Sequence, residues 1–448
     1  MSIASMRSVR VKEAGTIFDI CLIAPILTCA YTLIISPMLV FMYPVKDITT
    51  PRLENKIFGP TILAIALACL VSRRSRLTWP PHIVWLAAYF ALAGASILWS
   101  FKPQFSFVRY FAEIIMIISV MPVLLADRRA DVIRGVFYLF AFGLILNVIL
   151  ITGGYSSETV SMGVKIGQRG YFTFKGELGE FAALAFLFSL YEIFHPGWRR
   201  ILGLIIAVIS VYLVLISQSK GSLGCSVLAA ILATLVLFVS KKARVSPAIV
   251  LLPLPICYAV VSGLVGNLVN RISWYIYGNY TLTGRTEIWD VVNFEIAKKP
   301  LLGWGYRSIW LVGPDSPIMV DAWNWVRTMP SAHNGYLDTI LDTGYIGLAL
   351  VIIFIFATLH ATGRVADRDR ARAWLLLSVA LYIILQNFLE SALMQGGDAL
   401  WLMFVVVVAE AGRYWRPFRS RGASARSSGG RPLAHGPRFL PERGLPVG

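Results

Sequence analysis

A succession of long apolar runs constrains this chain more than any other feature. They fall near residues 17–42, 57–71, 82–99, 109–126, 132–152, 179–194, 201–217, 222–240, 247–268, 336–360, 372–391 and 398–412. Each run is roughly 15–26 residues, near or above the length a helix needs to cross a hydrocarbon core about 30 Å thick. Within lipid a backbone must satisfy its own polar groups, so runs of this kind become helices. The expectation is an all-α polytopic membrane protein of about 12 transmembrane helices. Composition agrees, because 57% of the 448 residues are hydrophobic and only 15% are charged, which does not fit a soluble multidomain enzyme.

Charge orients the runs. Lys and Arg flanking spans stay on the cytoplasmic side, while Asp and Glu count for little. Basic clusters occupy alternate gaps: Arg7, Arg10 and Lys12 in the leader, then "SRRSR" (72–76), "DRRADVIR" (127–134), "PGWRR" (196–200), "KKAR" (241–244) and "GRVADRDRAR" (363–372). An even number of spans with both termini cytoplasmic puts every cluster inside. The net charge of +17 is mostly this bias, so it implies contact with anionic membrane lipids and no nucleic acid. Two domains follow: a helical membrane domain over 1–412, and a basic tail over 413–448 whose "RSRGASARSSGGRP" has little to bury and reads as disordered. The first run continues into a two-span pattern, unlike a cleavable signal peptide. All five cysteines lie in apolar runs, with neither disulfide nor zinc spacing.

Two outer connections exceed what joining spans requires, 153–178 and 269–335, and loops of that length are commonly functional. The second is rich in Trp and Tyr, which suits an ordered element at the membrane surface. In it "TGRTEIWDVVNFEIAKKP" reads as a helix with Thr283 as cap, Ile288, Trp289, Val292 and Ile296 on one apolar face, and Pro300 as terminator. Arg285 lies at the edge of that face, directed along the membrane interface. Of the five histidines only His333, just before a span, falls outside. Arg169 in the first outer loop and Lys220 in "SQSKGSLG" face the same side. Arginine forks and a lysine point charge beside one histidine match a phosphate-bearing ligand, which at a membrane surface means a lipid diphosphate.

These segments resemble the O-antigen ligase and polymerase superfamily. The likeness is carried by "GRTEIWDVVNFEIAKKPLLGWGY" and "HNGYLDTILDTGYIG", with Asp342, Gly344 and Gly347 as the acidic-x-Gly-x-x-Gly element. Around these, "QRGYFTFKGELG", "LISQSKGSLG" and "NFLESAL" correspond to its other elements. The match spans roughly 165–400 and is nearest to ExoQ-type exopolysaccharide polymerases. Two departures stand out: the first loop lacks the usual His-Lys-Asn, leaving Lys175 alone, and Lys220 replaces a common Arg. The resemblance implies a bundle of the metal-independent, cofactor-free C-type glycosyltransferase class in the bacterial inner membrane, with residues 269–335 as a periplasmic loop. It acts there on undecaprenyl-diphosphate-linked glycans, with a polysaccharide co-polymerase or chain-length regulator as an expected partner. On this reading His333 is the base of an inverting transfer, and Arg285 and Arg169, with Lys220 assisting, clamp the diphosphate. Arg169, Lys175, Lys220, Trp289, Asn334 and Glu390 bind substrate; Glu390 and Asp398 are open to orienting His333, to binding sugar hydroxyls or, equally, to a structural pair with an arginine.

Alternatives stay open at this level. A ligase transferring glycan to a lipid A core shares the donor chemistry. A flippase or exporter has a similar number of spans, but no internal repeat is found and the polar groups gather at one face. "DRD" at 367–369 imitates a metal-binding motif but sits in an Arg-rich cytoplasmic turn. Arg109 and Glu113, four residues apart, read as an internal ion pair.

Overall fold

The computed structural model describes residues 23–44, 53–72, 79–126, 131–156, 158–161, 164–255 and 284–415, with residues 257, 260, 271, 273–275, 278 and 282 between the last two segments. Thr283, the basic leader, Cys21, half of the 247–268 run and the tail beyond Trp415 lie outside the described residues.

The chain is an all-α polytopic membrane protein. In order it forms α1 (Ile23–Met42), interrupted by a π-turn at Tyr31–Ile35, then α2 (Leu53–Ser72), α3 (Pro81–Ala95), α4 (Pro103–Ala126) and α5 (Val132–Thr152). A short antiparallel hairpin follows, β1 (Glu158–Ser161) and β2 (Val164–Gln168). Next come α6 (Lys175–Ile193), α7 (Trp198–Ser217), α8 (Lys220–Ala243) and α9 (Pro247–Leu251). After these stand α10 (Arg285–Lys298), α11 (Pro317–Asp321), α12 (Gly335–Ala366), α13 (Arg370–Gln386) and α14 (Ala399–Arg413).

Eight helices among the described residues are long and apolar enough to cross a membrane: α1–α5, α7, α8 and α12. Three more occupy positions of expected spans but differ for physical reasons. α6 carries Lys175, Glu177, Glu180 and Glu192. α13 and α14 have only 17 and 15 residues. α14 is apolar on all sides, and every residue from Leu400 to Arg413 is buried, as befits a helix enclosed by neighbours. It packs on α4, α12 and α13. The strongest pairings elsewhere are α6 with α7, α8 with α13, α3 with α12 and α2 with α4.

Arg109 and Glu113 do not pair. The Arg109 guanidinium donates to the carbonyls of Arg307 (2.5 Å), Trp310 (2.9 Å) and Leu311 (3.5 Å), whereas Glu113 accepts from the indole of Trp401. Left-handed backbone at Arg307 and Leu311 turns carbonyls toward the arginine, and a buried guanidinium takes those fixed acceptors.

The segment after α10 packs with α10 and α12 around a shared core of Ile288, Val292, Ile296, Ile309, Val326 and Leu341. It is stitched to α12 through a break in that helix. Gly344 has φ +70° and ψ −173°, which frees the surrounding peptide groups. The N–H groups of Trp304 and Gly305 donate to the freed carbonyls of Leu341 (2.8 Å) and Asp342 (2.9 Å). In return Tyr345 N–H donates to Pro300 O (2.9 Å). A Cβ on Gly344 would lie 2.0 Å from the Leu301 carbonyl oxygen, and one on Gly303 2.6 Å from that of Asp342. The Gly-Trp-Gly turn and the Asp-x-Gly-x-x-Gly helix start are therefore two halves of one joint.

Candidate active site

α10 begins at Gly284, whose φ of +92° supplies the turn into the helix. Arg285, the first helical residue, points toward the α13–α14 connection. Its Nε donates to Leu389 O (2.9 Å), its Nη1 to Leu282 O (3.4 Å) and its Nη2 to Glu390 Oε1 (2.7 Å). A carboxylate and two carbonyls thus fix its guanidinium. The other oxygen, Glu390 Oε2, meets His333 Nδ1 at 2.6 Å. Arg285, Glu390 and His333 thus form one chain of contacts across three segments far apart in sequence.

Burial pushes the Glu390 carboxyl up, but His333 and Arg285 together outweigh it and hold the group below its ordinary value. An ionised carboxylate only accepts, so Nδ1 carries the proton of this bond, and in the neutral ring Nε2 presents its lone pair. The side chains of His333, Glu390 and Arg285 remain 29%, 30% and 17% exposed, enough to meet a ligand.

His333 has φ +47°, an unfavourable conformation for a residue with a Cβ, and the surroundings enforce it. Trp289 Nε1 donates to Ala332 O (3.0 Å). Ala332 N–H donates to both oxygens of Asp338 (3.2 Å each), and Asp338 Oδ1 also accepts from Trp310 Nε1 (2.8 Å). Asn334 N–H donates to Ser391 Oγ (3.0 Å), and its side-chain oxygen caps α12 by accepting from Tyr336 and Leu337 N–H. Gly335 N–H donates to Asn387 O (2.9 Å). Asn334 and Trp289 accordingly stand where they position the histidine. Asp338, Asn387 and Ser391 were absent from the sequence reading; the signal lay in "HNGYLD" and "NFLESAL", already singled out for other residues. Asp398 does not reach His333 and instead caps α14 by accepting from Trp401 N–H (3.0 Å).

The remaining cations gather on a second set of elements. Gly179 in α6 lets the α7–α8 turn approach, since a Cβ there would lie 2.3 Å from that of Ser219. This brings Lys220, the first residue of α8, beside Lys175, the first of α6. Burial and the Lys220 charge push the Lys175 ammonium below its ordinary value. Arg169, after β2, donates to Thr173 O (3.3 Å). Burial raises the Glu177 carboxyl against hydrogen bonds from Thr173 and Phe174 N–H, and the charge of Glu390 raises it further. The two sets are therefore electrostatic neighbours. Among the described residues no group of three or more His, Cys, Asp or Glu is disposed to hold a metal ion.

A family model described as O-antigen ligase matches residues 205–352, which include Lys220, Arg285, His333 and the glycine joint. The exopolysaccharide production protein ExoQ of Rhizobium meliloti (strain 1021) is 24% identical over 324 residues, covering 68% of this chain and 72% of that protein. Both findings support the O-antigen ligase and polymerase superfamily. They point to a polymerase or ligase activity of glycosyltransferase type. Its α13–α14 connection, which supplies Glu390, lies beyond the matched residues 205–352 yet completes the site.

Proposed function

We propose that the chain polymerises undecaprenyl-diphosphate-linked oligosaccharide repeat units into exopolysaccharide at the periplasmic face of the bacterial inner membrane. The observation that carries this reading is the Arg285–Glu390–His333 chain of contacts. His333 Nε2 takes the proton from an acceptor sugar hydroxyl as that oxygen bonds to the anomeric carbon of the donor. The bond from that carbon to the diphosphate oxygen breaks, and the electron pair leaves with the lipid diphosphate. Displacement from the opposite side inverts the carbon. Glu390 holds the ring and stabilises the imidazolium that forms, as a buried carboxylate does beside a catalytic histidine.

The Arg285 charge is partly offset by Glu390, so neutralising the leaving diphosphate falls largely to Arg169, Lys175 and Lys220. Oriented cations of this kind stabilise developing charge without a metal. Likeness to an exopolysaccharide production protein favours joining repeat units over capping a lipid A core. The test is chromatography of lipid-linked glycans from a strain lacking the chain. Single repeat units stranded on the lipid, loss of high-molecular-weight exopolysaccharide and unchanged lipopolysaccharide are expected. Long lipid-linked chains with lipopolysaccharide lacking O-antigen indicate a ligase instead.

A further inference from the structure

A cavity of about 800 Å³ opens between α1, α2 and α4, away from the histidine site. Its walls are apolar, with Phe58, Ile62, Ile115 and Met116 among them, and no described lining residue is acidic. At one end stand Arg307, Arg109 and Lys56. Arg109 is engaged with the carbonyls described above and fixes the left-handed turn that carries Arg307. The Arg307 guanidinium itself forms no hydrogen bond or ion pair with a described side chain. Along α4 the cavity runs from Gln104 to Ser119, and the ten residues from Arg109 to Ser119 span about 15 Å. That is about half of a hydrocarbon core, so the cavity descends from the cationic end to mid-membrane.

A cationic mouth over an apolar shaft fits an anionic head on a hydrocarbon tail. Joining two lipid-linked units needs two such lipids at once, and the cations around His333 account for one. Gly396 and Gly397 line the cavity and belong to the connection that carries Glu390. Gly396 lies six positions after Glu390, at most about 20 Å of extended chain, a distance that an oligosaccharide repeat unit bridges. Resting on the polymerase reading, we propose that this cavity seats the lipid carrier of the acceptor, with its diphosphate against Arg307 and its first isoprenoid units between α1, α2 and α4.

Native mass spectrometry of the detergent-solubilised full chain with undecaprenyl diphosphate tests this. Wild type should retain two lipids, and Ala112→Trp, which fills the shaft from an exposed position on α4, should retain one. Arg307→Gln should weaken the second binding event about tenfold, as loss of a charge-assisted contact does, and guards against a packing artefact in the tryptophan variant. A single bound lipid, untouched by Ala112→Trp and weakened by Arg285→Lys, overturns the second site while leaving the polymerase reading intact. Displacement of the second lipid by equimolar phosphatidylglycerol also overturns it, since the cavity then takes any anionic lipid. Retention of no lipid at all overturns both.

Discussion

His333 is held in left-handed backbone with one ring nitrogen engaged by Glu390. His333→Ala should leave the protein inserted and lower polymerisation by about 10²–10⁴-fold, the usual contribution of a positioned base. Wild-type turnover by this variant in liposomes removes the base assignment. Glu390→Gln should lose a comparable factor, because a carboxamide can donate to Nδ1 and reverse the tautomer. The same variant carries a stability signature. Since the folded Glu390 carboxyl lies below its ordinary value, its contribution is present above the unfolded pKa of about 4.3 and fades as the pH falls through the lower folded value. The glutamine variant should therefore show a flatter melting profile on acidification, measurable by thermal shift. Activity of the wild type should persist in EDTA; loss restored by Mg²⁺ or Mn²⁺ would sink the all-cation account of the diphosphate site.

Among the elements, the broken helix α12 and the capped helix α14 decide where the catalytic groups stand. Gly344→Ala places a Cβ against the Leu301 carbonyl and forces positive φ on alanine, a backbone strain of about 1–3 kcal/mol before any clash. The yield of monodisperse protein should drop, while Gly224→Ala, in open space on α8, should behave as wild type. Equal yields would mean that the joint between the outer segment and α12 is dispensable. At α14, burial raises the Asp398 carboxyl to about 7 against the hydrogen bonds that cap the helix. A raised carboxyl gives stability that is complete below the unfolded pKa and lost as the pH rises through the folded one. Asparagine caps equally well and does not ionise, so Asp398→Asn should melt higher than wild type at pH 8 and equally at pH 4.

At the level of the whole molecule, the expected arrangement puts the α10–α12 segment outside and the α6–α7 turn inside. Val320 on α11 is exposed, and so is Arg200 near the start of α7. In a cysteine-free background, a membrane-impermeant thiol reagent should label Val320→Cys in cells with a permeable outer envelope. It should label Arg200→Cys only after the inner membrane is opened. The reverse pattern would invert the topology and move His333 to the cytoplasm.

The sequence by itself determined the helical membrane architecture, because apolar run length and basic flanks are one-dimensional properties that lipid reads directly. It also marked Arg285 and His333, since phosphate chemistry calls for those residue types on one face. What it left undecided was who touches whom. The Arg109 and Glu113 spacing suggested a pair, yet carbonyls of a distant left-handed turn captured the arginine. Asp398 and Glu390 were equivalent candidates, and only the path of the α13–α14 connection assigned one to the histidine and the other to a helix cap. Asp338 and Ser391 went unseen because their bonds go to the backbone beside His333, which leaves no periodic trace. Partners separated by tens to hundreds of residues are chosen by packing, and packing exists only once the chain has folded.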